Sequence, residues 1–424
     1  MGPASLHGCV TAPPSKSYTH RELVASYFAD GRSELVRPLR SSDTSATRRG
    51  LTRLGARVWS AGDSWFVEPP SLVASGRRRR TSIDCGESGT SLRFLTAVAA
   101  TRSYPVRLFG GPRLSRRPIG GLLRFLEAAG AEVRRPRKPR TLPITVLGPV
   151  HALRGALDAS ESSQYLSALL LAFPSIAGVT RISAVGAEVS APYVAATRDV
   201  LARRGVEWDV SGRESRIQGP RPPRARRVTI PGDASSAAYL WAGAAATGGE
   251  VRVTGVPRRR PQADLAILGI LKRMGARVEL HPDGATVRGK GLKGVAWELT
   301  DQPDLLPLVG ALAALARGST RILGAAHAAF KESDRRKTTA SLVRAIGGRV
   351  RLLPRRIDIT PGAGVRPLLL PSIRDHRVIM SAAIAALGAS GPSTLGDARA
   401  VEKSFPGFWS ELRALGGSAT PVRP

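Results

Sequence analysis

One lysine near the start of the chain stands in surroundings suited to anion binding or proton transfer. Lys16 lies between two serines in the segment APPSKSYTHREL, residues 12–23. The chain has 64 lysine and arginine residues, and only eight of them are lysines. Arginine keeps its charge in proteins, whereas a lysine ammonium is a compact point charge that releases a proton when its surroundings lower its pKa. Lys16 is therefore a candidate for chemistry that arginine does not perform.

Lys16 is the second residue of the first of six apolar segments that predict buried helices with polar heads. The segments span residues 15–29, 88–100, 162–173, 235–246, 303–316 and 375–389. Serine and aspartate at these heads are good amino-terminal caps, which is one interpretation of the pattern. A helix amino terminus also presents unpaired N–H groups and a positive dipole end, which bind anions. Capping does not explain the other polar residues at or just inside the heads, which are Lys16, Arg21, Arg93, Gln164 and Arg377.

A second helical signature recurs along the chain and predicts an internal repeat. Each copy is a helical stretch, a glycine and a strand-like segment, and the glycines are Gly55, Gly130, Gly205, Gly275, Gly347 and Gly416. Each glycine stands where a helix would end in a left-handed residue. The first five are followed by alternating residues typical of a hairpin. Six such units, spaced 69 to 75 residues apart, account for nearly the whole chain.

Length and composition are typical of a globular protein with two domains. The chain has 424 residues, 42% of them hydrophobic and 23% charged, and a chain of this length is expected to form more than one core. It has no apolar run of 18 residues and its start lacks the features of a signal peptide, so we expect no membrane span. Cys9 and Cys85 have no metal-ligand spacing, and two cysteines fit a reducing cytoplasm.

The net charge of +32 is extreme, and it makes a polyanion-binding protein one interpretation. Arginine-rich runs occur at residues 77–80, 134–140, 221–227 and 257–261, in proline-rich or turn-like places. Aromatic residues make up 5% of the chain and do not alternate with these runs, so no base-stacking platform is visible. We interpret the runs as solvated loops and expect no specific nucleic-acid partner.

Ten motifs in a fixed order give the chain its resemblance to a known family. They are PPSKSYTHR, GESGTSLR, GGPRLSRRPI, SSQYLSALL, SAPY, PGDASSAAY, PDLLP, KESDR, DHR and EKSFPGFW. One short motif has a high false-positive rate, but ten in order form a specific pattern. From about residue 8 to residue 415, the chain closely resembles the 3-phosphoshikimate 1-carboxyvinyltransferases, also called 5-enolpyruvylshikimate-3-phosphate (EPSP) synthases.

The resemblance implies an α/β (α+β) enolpyruvyltransferase fold of six βαβαββ repeats, three in each of two domains. The amino termini of the buried helices would face the interdomain cleft. Turn signals place the domain crossings near residues 13–14 and 230–232. The expected domains are therefore a discontinuous one, residues 1–14 and 231–424, and an inserted one, residues 15–230.

The reaction implied by the resemblance belongs to the shikimate pathway of chorismate and aromatic amino acid biosynthesis. The enolpyruvyl group of phosphoenolpyruvate moves to the 5-hydroxyl of shikimate 3-phosphate, and phosphate leaves through a tetrahedral intermediate. The family uses no metal and no organic cofactor. The expected partners are these two anionic small molecules, and the expected state is a cytoplasmic monomer.

The resemblance also implies roles for individual residues. Asp304 matches the base for the 5-hydroxyl, Glu332 matches the group that transfers a proton at the methylene carbon, and Lys16 lies between both substrates. The shikimate 3-phosphate contacts are matched by Lys16, Ser17, Arg21, Ser162, Ser163, Gln164, Ser190, Tyr193, Asp304 and Lys331. The phosphoenolpyruvate contacts are matched by Lys16, Gly89, Arg117, Gln164, Arg335, Arg377 and Lys403. Arginine forks suit a carboxylate or phosphate, and glycine permits close backbone approach.

Each of these residues also has a plainer interpretation. Asp304 could be only the cap of the helix that follows, and so could the serines of SSQ. In so basic a chain, a single arginine is more often a surface residue.

The chain also departs from the usual motifs: Glu87 stands where many members have asparagine, and Ser42 replaces the first aspartate of SDD. His327 and Ala329 replace an asparagine and an arginine before KESDR.

Two other functions remain open at this point. UDP-N-acetylglucosamine enolpyruvyl transferases share the fold, but they usually have Lys-Asn where this chain has Lys16-Ser17. They also carry a catalytic cysteine or aspartate in the loop that corresponds to residues 113–117, and this chain has neither there. The second alternative is a basic nucleic-acid-binding protein that kept an enzyme's fold. The complete set of Lys16, Asp304, Glu332, Arg377 and Lys403 argues against lost catalysis.

Overall fold

The structure is a computed structural model that describes residues 1–71, 80–136, 141–186 and 190–421. It separates into two compact units, each with its own hydrophobic core. Met1–Pro13 and Pro231–Pro424 form the discontinuous unit, and Pro14–Ile230 form the inserted unit. The expected boundary after residue 14 is one residue too late, because Pro14 belongs to the inserted unit.

The chain opens with strand β1, His7–Thr11, and then enters the inserted unit. The helices of that unit are α1 Lys16–Tyr27, α2 Ser42–Arg53, α3 Gly89–Ala100, α4 Gly120–Ala128, α5 Gln164–Ala172 and α6 Ala191–Arg203. Its strands are β2 Ser33–Val36, β3 Arg57–Ala61, β4 Ser64–Glu68, β5 Thr81–Asp84, β6 Val106–Phe109, β7 Glu132–Arg134, β8 Ile144–Leu147, β9 Arg154–Asp158, β10 Gly178–Val185, β11 Asp209–Ser211, β12 Glu214–Gly219 and β13 Arg227–Thr229.

The discontinuous unit continues the same alternation of helices and strands. Its helices are α7 Ala234–Thr247, α8 Ala266–Arg273, α9 Leu306–Leu315, α10 Arg335–Ile346, α11 His376–Leu387 and α12 Phe408–Ala414. Its strands after β1 are β14 Glu250–Thr254, β15 Arg277–His281, β16 Gly284–Arg288, β17 Ala296–Glu298, β18 Thr320–Leu323, β19 Arg349–Leu353, β20 Arg356–Thr360, β21 Leu369–Leu370 and β22 Thr394–Leu395.

Within the described ranges, five four-stranded sheets share one topology. Each joins a parallel pair to an antiparallel hairpin, in the orders β13-β2-β4-β3, β5-β6-β8-β7, β9-β10-β12-β11, β1-β14-β16-β15 and β17-β18-β20-β19. The hairpins follow the first five helix-ending glycines, as the alternating pattern predicted. The sixth repeat forms only the parallel pair β21-β22. The prediction of repeated βαβαββ units is confirmed.

Two sheets are completed by a strand from a distant part of the chain. The last strand of the inserted unit, β13, pairs in parallel with β2 and so completes the sheet of the first repeat. Strand β1 pairs in parallel with β14, in register from His7 opposite Glu250 to Thr11 opposite Thr254.

The two kinds of helix take the places that the sequence predicted. All six helix-ending glycines have positive φ angles, between 77° and 110°, which glycine adopts at little cost. The other helices, α1, α3, α5, α7, α9 and α11, are buried on nearly all sides. Because their flanks pack in the cores, polar side chains are concentrated at their amino-terminal heads.

The described part of the chain contains no helix long and apolar enough to cross a membrane. It also contains no group of three or more histidine, cysteine, aspartate or glutamate side chains placed to hold a metal ion. The arginine-rich runs 221–227 and 257–261 lie in loops, except that Arg227 begins β13. The runs 77–80 and 134–140 lie partly outside the described residues.

Candidate functional site

Asp304 is the centre of a polar cluster in the discontinuous unit. It lies in a short 3-10 turn, Pro303–Leu305, and its side chain makes no capping hydrogen bond. Instead, Oδ1 accepts a hydrogen bond from Arg335 Nη1 at 2.6 Å and lies 3.4 Å from Lys331 Nζ. Oδ2 accepts from Arg377 Nη2 at 3.2 Å. The interpretation of Asp304 as only a helix cap is therefore wrong, because three cations converge on its carboxylate.

These cations control the ionisation of Asp304. Burial alone would raise the pKa of its carboxyl, but Lys331, Arg377 and Arg335 outweigh burial and hold the pKa well below its ordinary value. The negative charge of Glu332 opposes them. A carboxylate held in this way is ionised throughout the physiological range. Its strength as a base depends on how closely the cations remain paired with it.

Arg335, the first residue of α10, links three carboxylates. It is 1% exposed, and its Nη2 donates to Glu332 Oε2 at 2.8 Å. Its Nε donates to Asp375 Oδ2 at 3.1 Å, and its Nη1 donates to Asp304. Burial alone would lower the pKa of Arg335, but the three carboxylates outweigh burial and raise it above its ordinary value. Arg335 therefore carries a permanent charge within this cluster.

Glu332 connects the cluster to the last candidate cation. Its Oε1 lies 3.6 Å from Lys403 Nζ, and the Glu332 and Lys403 side chains are 12% and 16% exposed. Lys403 ends a 3-10 helix, Ala398–Lys403, which precedes α12. The predicted site residues of this unit are therefore close neighbours. We call the set the acid–base cluster: Asp304, Lys331, Glu332, Arg335, Arg377 and Lys403.

The sequence analysis missed two carboxylates that contact this cluster. Asp375 caps α11 by accepting from the backbone N–H of Arg377 at 3.0 Å, and it also pairs with Arg335. The DHR motif contained it, but only its arginine was assigned a role. Asp264, in the 3-10 turn before α8, lies 3.9 Å from Arg377 Nη1. No motif pointed to Asp264, because its partner is more than a hundred residues away in sequence.

His327 lies beside the acid–base cluster, in a 3-10 helix that ends just before Lys331. It is 7% exposed. Burial lowers the pKa of its imidazole to about 4, and the charge of Lys331 acts in the same direction. The ring is therefore neutral at physiological pH, and it can act there as a hydrogen-bonding group but not as a cation.

In the inserted unit, Lys16 begins α1 and faces a carboxylate. Its Nζ lies 3.4 Å from Asp43 Oδ2, and the two side chains are 16% and 6% exposed. Asp43 is in the first turn of α2, whose start is fixed by a capping box between Ser41 and Thr44. The aspartate that remains of the usual SDD motif thus holds the ammonium of Lys16 at the head of α1.

Arg21 joins α1 to the start of α6. It is 2% exposed, its Nε donates to Thr197 Oγ1 at 2.8 Å, and its Nη2 donates to the carbonyl of Tyr193 at 2.8 Å. Its Nη1 donates to the carbonyl of Ser17 at 3.0 Å. Burial lowers the pKa of Arg21 to about 10. Arg21 therefore fixes the backbone at Ser17 and Tyr193, two residues that the sequence assigned to the same substrate.

Gln164 is oriented by two residues of α3. Arg93 Nη1 donates to Gln164 Oε1 at 2.7 Å, and Gln164 Nε2 donates to Thr90 Oγ1 at 3.1 Å. Arg93 is 2% exposed, and it also donates to the carbonyl of Pro118 at 2.7 Å. Ser162 Oγ accepts from the backbone N–H of Gln164 at 3.2 Å. The sequence placed Arg93 at a helix head but did not find this orienting role.

Gly89 lies directly beneath the guanidinium of Arg117. A Cβ atom at Gly89 would stand 2.5 Å from Arg117 Nη1 and 2.9 Å from Arg93 Nη1. Atoms do not approach so closely, so any larger residue here would require both arginine side chains to shift. Arg117 is 8% exposed. The close approach of phosphoenolpyruvate to the Gly89 backbone stays a prediction.

Glu87 supports the turn that precedes Arg117. Its Oε2 accepts from the backbone N–H of Leu114 at 2.8 Å, and Oε1 lies 3.8 Å from Arg113 Nε. A Cβ atom at Gly111 would stand 2.1 Å from Oε1, so the turn wraps closely around the carboxylate. Arg113 therefore partly balances the negative charge of Glu87. Ser190, the residue before α6, is buried and has a left-handed backbone at φ 59°.

Comparisons with known proteins identify the family. The sequence model of the family described as EPSP synthase (3-phosphoshikimate 1-carboxyvinyltransferase) matches residues 1–412. The chain is 38% identical over 409 residues to the 3-phosphoshikimate 1-carboxyvinyltransferase of Methanoculleus marisnigri, with 96% of each chain covered. It is 38% identical over 410 residues to the enzyme of the same name from Thermococcus kodakarensis, covering 97% of this chain and 98% of that one.

Solved structures agree with this assignment. The structure of EPSP synthase from Acinetobacter baumannii superimposes with a TM-score of 0.80 at 25% identity, covering 98% of this chain and 97% of that one. The enolpyruvyl transferase NikO from Streptomyces tendae shares the fold, with a TM-score of 0.78 at 19% identity and coverage of 98% and 96%. The resemblance inferred from ten sequence motifs is confirmed. The chain belongs to the EPSP synthase (3-phosphoshikimate 1-carboxyvinyltransferase) family.

Proposed function

We propose that this chain transfers the enolpyruvyl group of phosphoenolpyruvate to the 5-hydroxyl of shikimate 3-phosphate and releases phosphate. Family membership supports the activity, and one observation carries the assignment of residues: the Asp304 carboxylate is held among Lys331, Arg335 and Arg377. A base surrounded by cations suits a reaction in which an alcohol loses a proton beside two anionic substrates.

Asp304 takes the proton from the 5-hydroxyl in this proposal. Its pKa is held low by the cations that pair with it, which makes the carboxylate a weak base while they remain paired. A phosphate or carboxylate that binds Arg335 and Arg377 draws their N–H groups away from Asp304. The base then becomes stronger at the moment the substrate is in place.

In this proposal Glu332 transfers a proton at the methylene carbon of phosphoenolpyruvate. Lys16 lies between the two substrates, where its ammonium can supply both charge and a proton. A proton is added to the methylene carbon while the 5-oxygen attacks the neighbouring carbon, which gives a tetrahedral ketal phosphate. Loss of phosphate and removal of a proton from the new methyl group then restore the vinyl group. Glu332 pairs with Arg335 and Lys403, so its two oxygens are oriented by cations on both sides. Glu332 must take up a proton before the first step; it then gives that proton to the methylene carbon and takes one back from the methyl group in the second step, while the proton taken by Asp304 leaves with the phosphate.

We assign the remaining polar residues to binding. The phosphoenolpyruvate contacts are Lys16, Gly89, Arg117, Gln164, Arg335, Arg377 and Lys403. The shikimate 3-phosphate contacts are Lys16, Ser17, Arg21, Ser162, Ser163, Gln164, Ser190, Tyr193, Asp304 and Lys331. Arginine pairs well with both carboxylate and phosphate oxygens, and the serines and the amide of Gln164 suit phosphate and ring hydroxyls. We further propose that the chain acts as a monomer in the cytoplasm.

Phosphate release on mixing the protein with both substrates tests the proposal. We expect wild type and Lys290→Arg, a change at an exposed lysine, to release phosphate at the same rate. Lys16→Arg keeps the charge but not the compact ammonium, and we expect it to be at least about a hundredfold slower. Equal rates in all three proteins would remove Lys16 from the chemistry. Release only when UDP-N-acetylglucosamine replaces shikimate 3-phosphate would overturn the substrate assignment.

A further inference from the structure

Asp264 is a buried carboxylate that the reaction described above does not use. It is 1% exposed, and its Oδ2 accepts a hydrogen bond from the hydroxyl of Ser235 in α7. Its Oδ1 is also buried, and no group in the described part of the chain forms a hydrogen bond with it. A buried ionised carboxylate is stable only with a cation close by, and otherwise it takes up a proton.

The cation nearest to Asp264 is shared with the base of the reaction. Arg377 Nη1 lies 3.9 Å from Asp264 Oδ2, and Arg377 Nη2 lies 3.2 Å from Asp304 Oδ2. Arg377 is 4% exposed, so its charge is screened little by solvent. One guanidinium therefore stands between two carboxylates. An anion that binds Arg377 competes with both of them.

Burial and two neighbouring carboxylates favour the neutral form of Asp264, whereas Arg377 and Ser235 favour the ionised form. Burial raises the pKa of Asp264 to about 6, and Arg377 acts against burial. The negative charge of Asp304 raises the pKa further, and so does that of Asp233, the residue that caps α7. The hydroxyl of Ser235 favours the ionised form. A small change in the charge near Arg377 is therefore enough to change the protonation of Asp264 near neutral pH.

We propose that Asp264 takes up a proton when an anionic ligand binds to Arg377, and that it thereby leaves the charge of Arg377 to the ligand. The inference rests on the proposed function, in which phosphoenolpyruvate is that ligand. Asp264 acts through Arg377 and is a positioning residue. Because the ligand prefers the enzyme with neutral Asp264, its affinity falls as the pH rises through the range in which Asp264 ionises.

The test compares the KM for phosphoenolpyruvate in wild type and Asp264→Asn between pH 5 and pH 8. The amide mimics the neutral carboxyl at every pH, and the ionisation of phosphoenolpyruvate itself cancels in the ratio. We expect the two proteins to have equal KM values at pH 5. At pH 8 we expect the KM of wild type to be about fivefold to tenfold higher than that of Asp264→Asn. Asp283→Asn, a change at an exposed aspartate, should follow wild type throughout. A ratio that is constant with pH would mean a structural role and would overturn the proposal.

A second variant covers the case in which Asp264→Asn fails to fold. Ser235→Ala removes the hydroxyl that favours the ionised form. We expect it to move the midpoint of the KM profile to higher pH, and an unchanged midpoint would contradict the proposal. If wild type is active but the ratio of its KM to that of Asp264→Asn does not change with pH, only this inference is overturned. If wild type shows no activity, the proposed function is overturned instead.

A binding measurement decides the inference without turnover. Sulfate stays doubly charged over this pH range, so it serves as a probe with constant charge. We expect sulfate to raise the Tm of wild type more at pH 5.5 than at pH 8, and to raise the Tm of Asp264→Asn equally at both. The same pH dependence in both proteins would overturn the proposal.

Discussion

Arg335 and Asp375 form an ion pair from which solvent is almost excluded. Arg335 Nε lies 3.1 Å from Asp375 Oδ2, and the side chains are 1% and 0% exposed. Arg335 Nη2 also reaches Asp375 Oδ1 at 3.3 Å, so the pair has the two-pronged geometry that favours arginine over lysine. The same guanidinium holds Asp304 and Glu332 with its other N–H groups. Asp375 thereby orients the two carboxylates to which we assign the proton transfers.

Replacement of Asp375 by asparagine should destabilise the protein. The amide still caps α11, but it leaves Arg335 buried with less compensating charge, and we expect a loss of about 3 kcal/mol in the free energy of unfolding. Urea unfolding followed by circular dichroism measures the change. The control is Asp358→Asn, which removes a carboxylate paired with the more exposed Arg356, and it should lose less than about 1 kcal/mol. Equal losses of unfolding free energy in the two variants would show that the buried Arg335–Asp375 pair contributes no more to stability than the exposed Arg356–Asp358 pair.

Gly89→Ala should weaken phosphoenolpyruvate binding. The new Cβ atom would stand 2.5 Å from Arg117 Nη1, so the guanidinium must move. A displacement of about 1 Å at a substrate-binding group can reduce activity a hundredfold, and we expect the KM for phosphoenolpyruvate to rise at least about tenfold. Gly364→Ala is the matched control, because a Cβ atom there meets nothing within 4 Å. An unchanged KM in Gly89→Ala would show that the position of the Arg117 guanidinium over Gly89 does not control the binding of this substrate.

Stability should depend on pH through His327. Its pKa is lowered to about 4 in the folded protein, whereas an unfolded histidine titrates near its ordinary value. Between these two values the unfolded chain binds the extra proton, so stability falls as the pH drops from about 6.5 towards 4. At pH 5 the expected loss from this one group is about 2 kcal/mol relative to pH 7.5.

Urea unfolding of His327→Gln at pH 7.5 and pH 5 isolates this contribution. The difference in unfolding free energy between the two pH values should be about 2 kcal/mol smaller than in wild type. His7→Gln, a change at an exposed histidine, should keep the wild-type difference. If His327→Gln keeps it as well, the ring is not held neutral by its surroundings.

Glu87 should act through a hydrogen bond rather than through its charge. Glu87→Ala removes the acceptor for the Leu114 N–H, which loosens the turn before Arg117, and we expect the KM for phosphoenolpyruvate to rise about tenfold. Glu87→Gln keeps an oxygen acceptor on a side chain of the same length, and its KM should stay within about threefold of wild type. Equal damage in both variants would assign the effect to the negative charge instead.

The sequence predicted the fold well because the signals of the repeat lie in short stretches of neighbouring residues. Helix-ending glycines, hairpin alternation and apolar helices each depend on residues within one turn or one strand. The same local patterns placed polar residues at the helix heads. They could not show that β1 pairs with β14 or that β13 pairs with β2, since nothing in a short strand identifies a distant partner.

The candidate site was predicted as a set of residues without their partners. Motif frames singled out Asp304, Glu332 and Arg335, and the structure brings these three together. They gave no sign of Asp264, whose pairing with Arg377 depends on how the turn before α8 and helix α11 both pack against α7. Glu87 was noticed only as a departure from the usual motif. Its hydrogen bond to Leu114 became visible once the turn was folded around it.

The pairing of β1 with β14 has a consequence for the order of folding during synthesis. Thr11 and its partner Thr254 are 243 residues apart in the chain, and the whole inserted unit is made between them. The three sheets that the structure describes in the inserted unit are built from its own strands, so this unit can fold while the ribosome is still making the rest of the chain. Strand β1 therefore has no sheet partner until β14 has been made, and during that interval its backbone N–H and C=O groups are open to pairing with other chains.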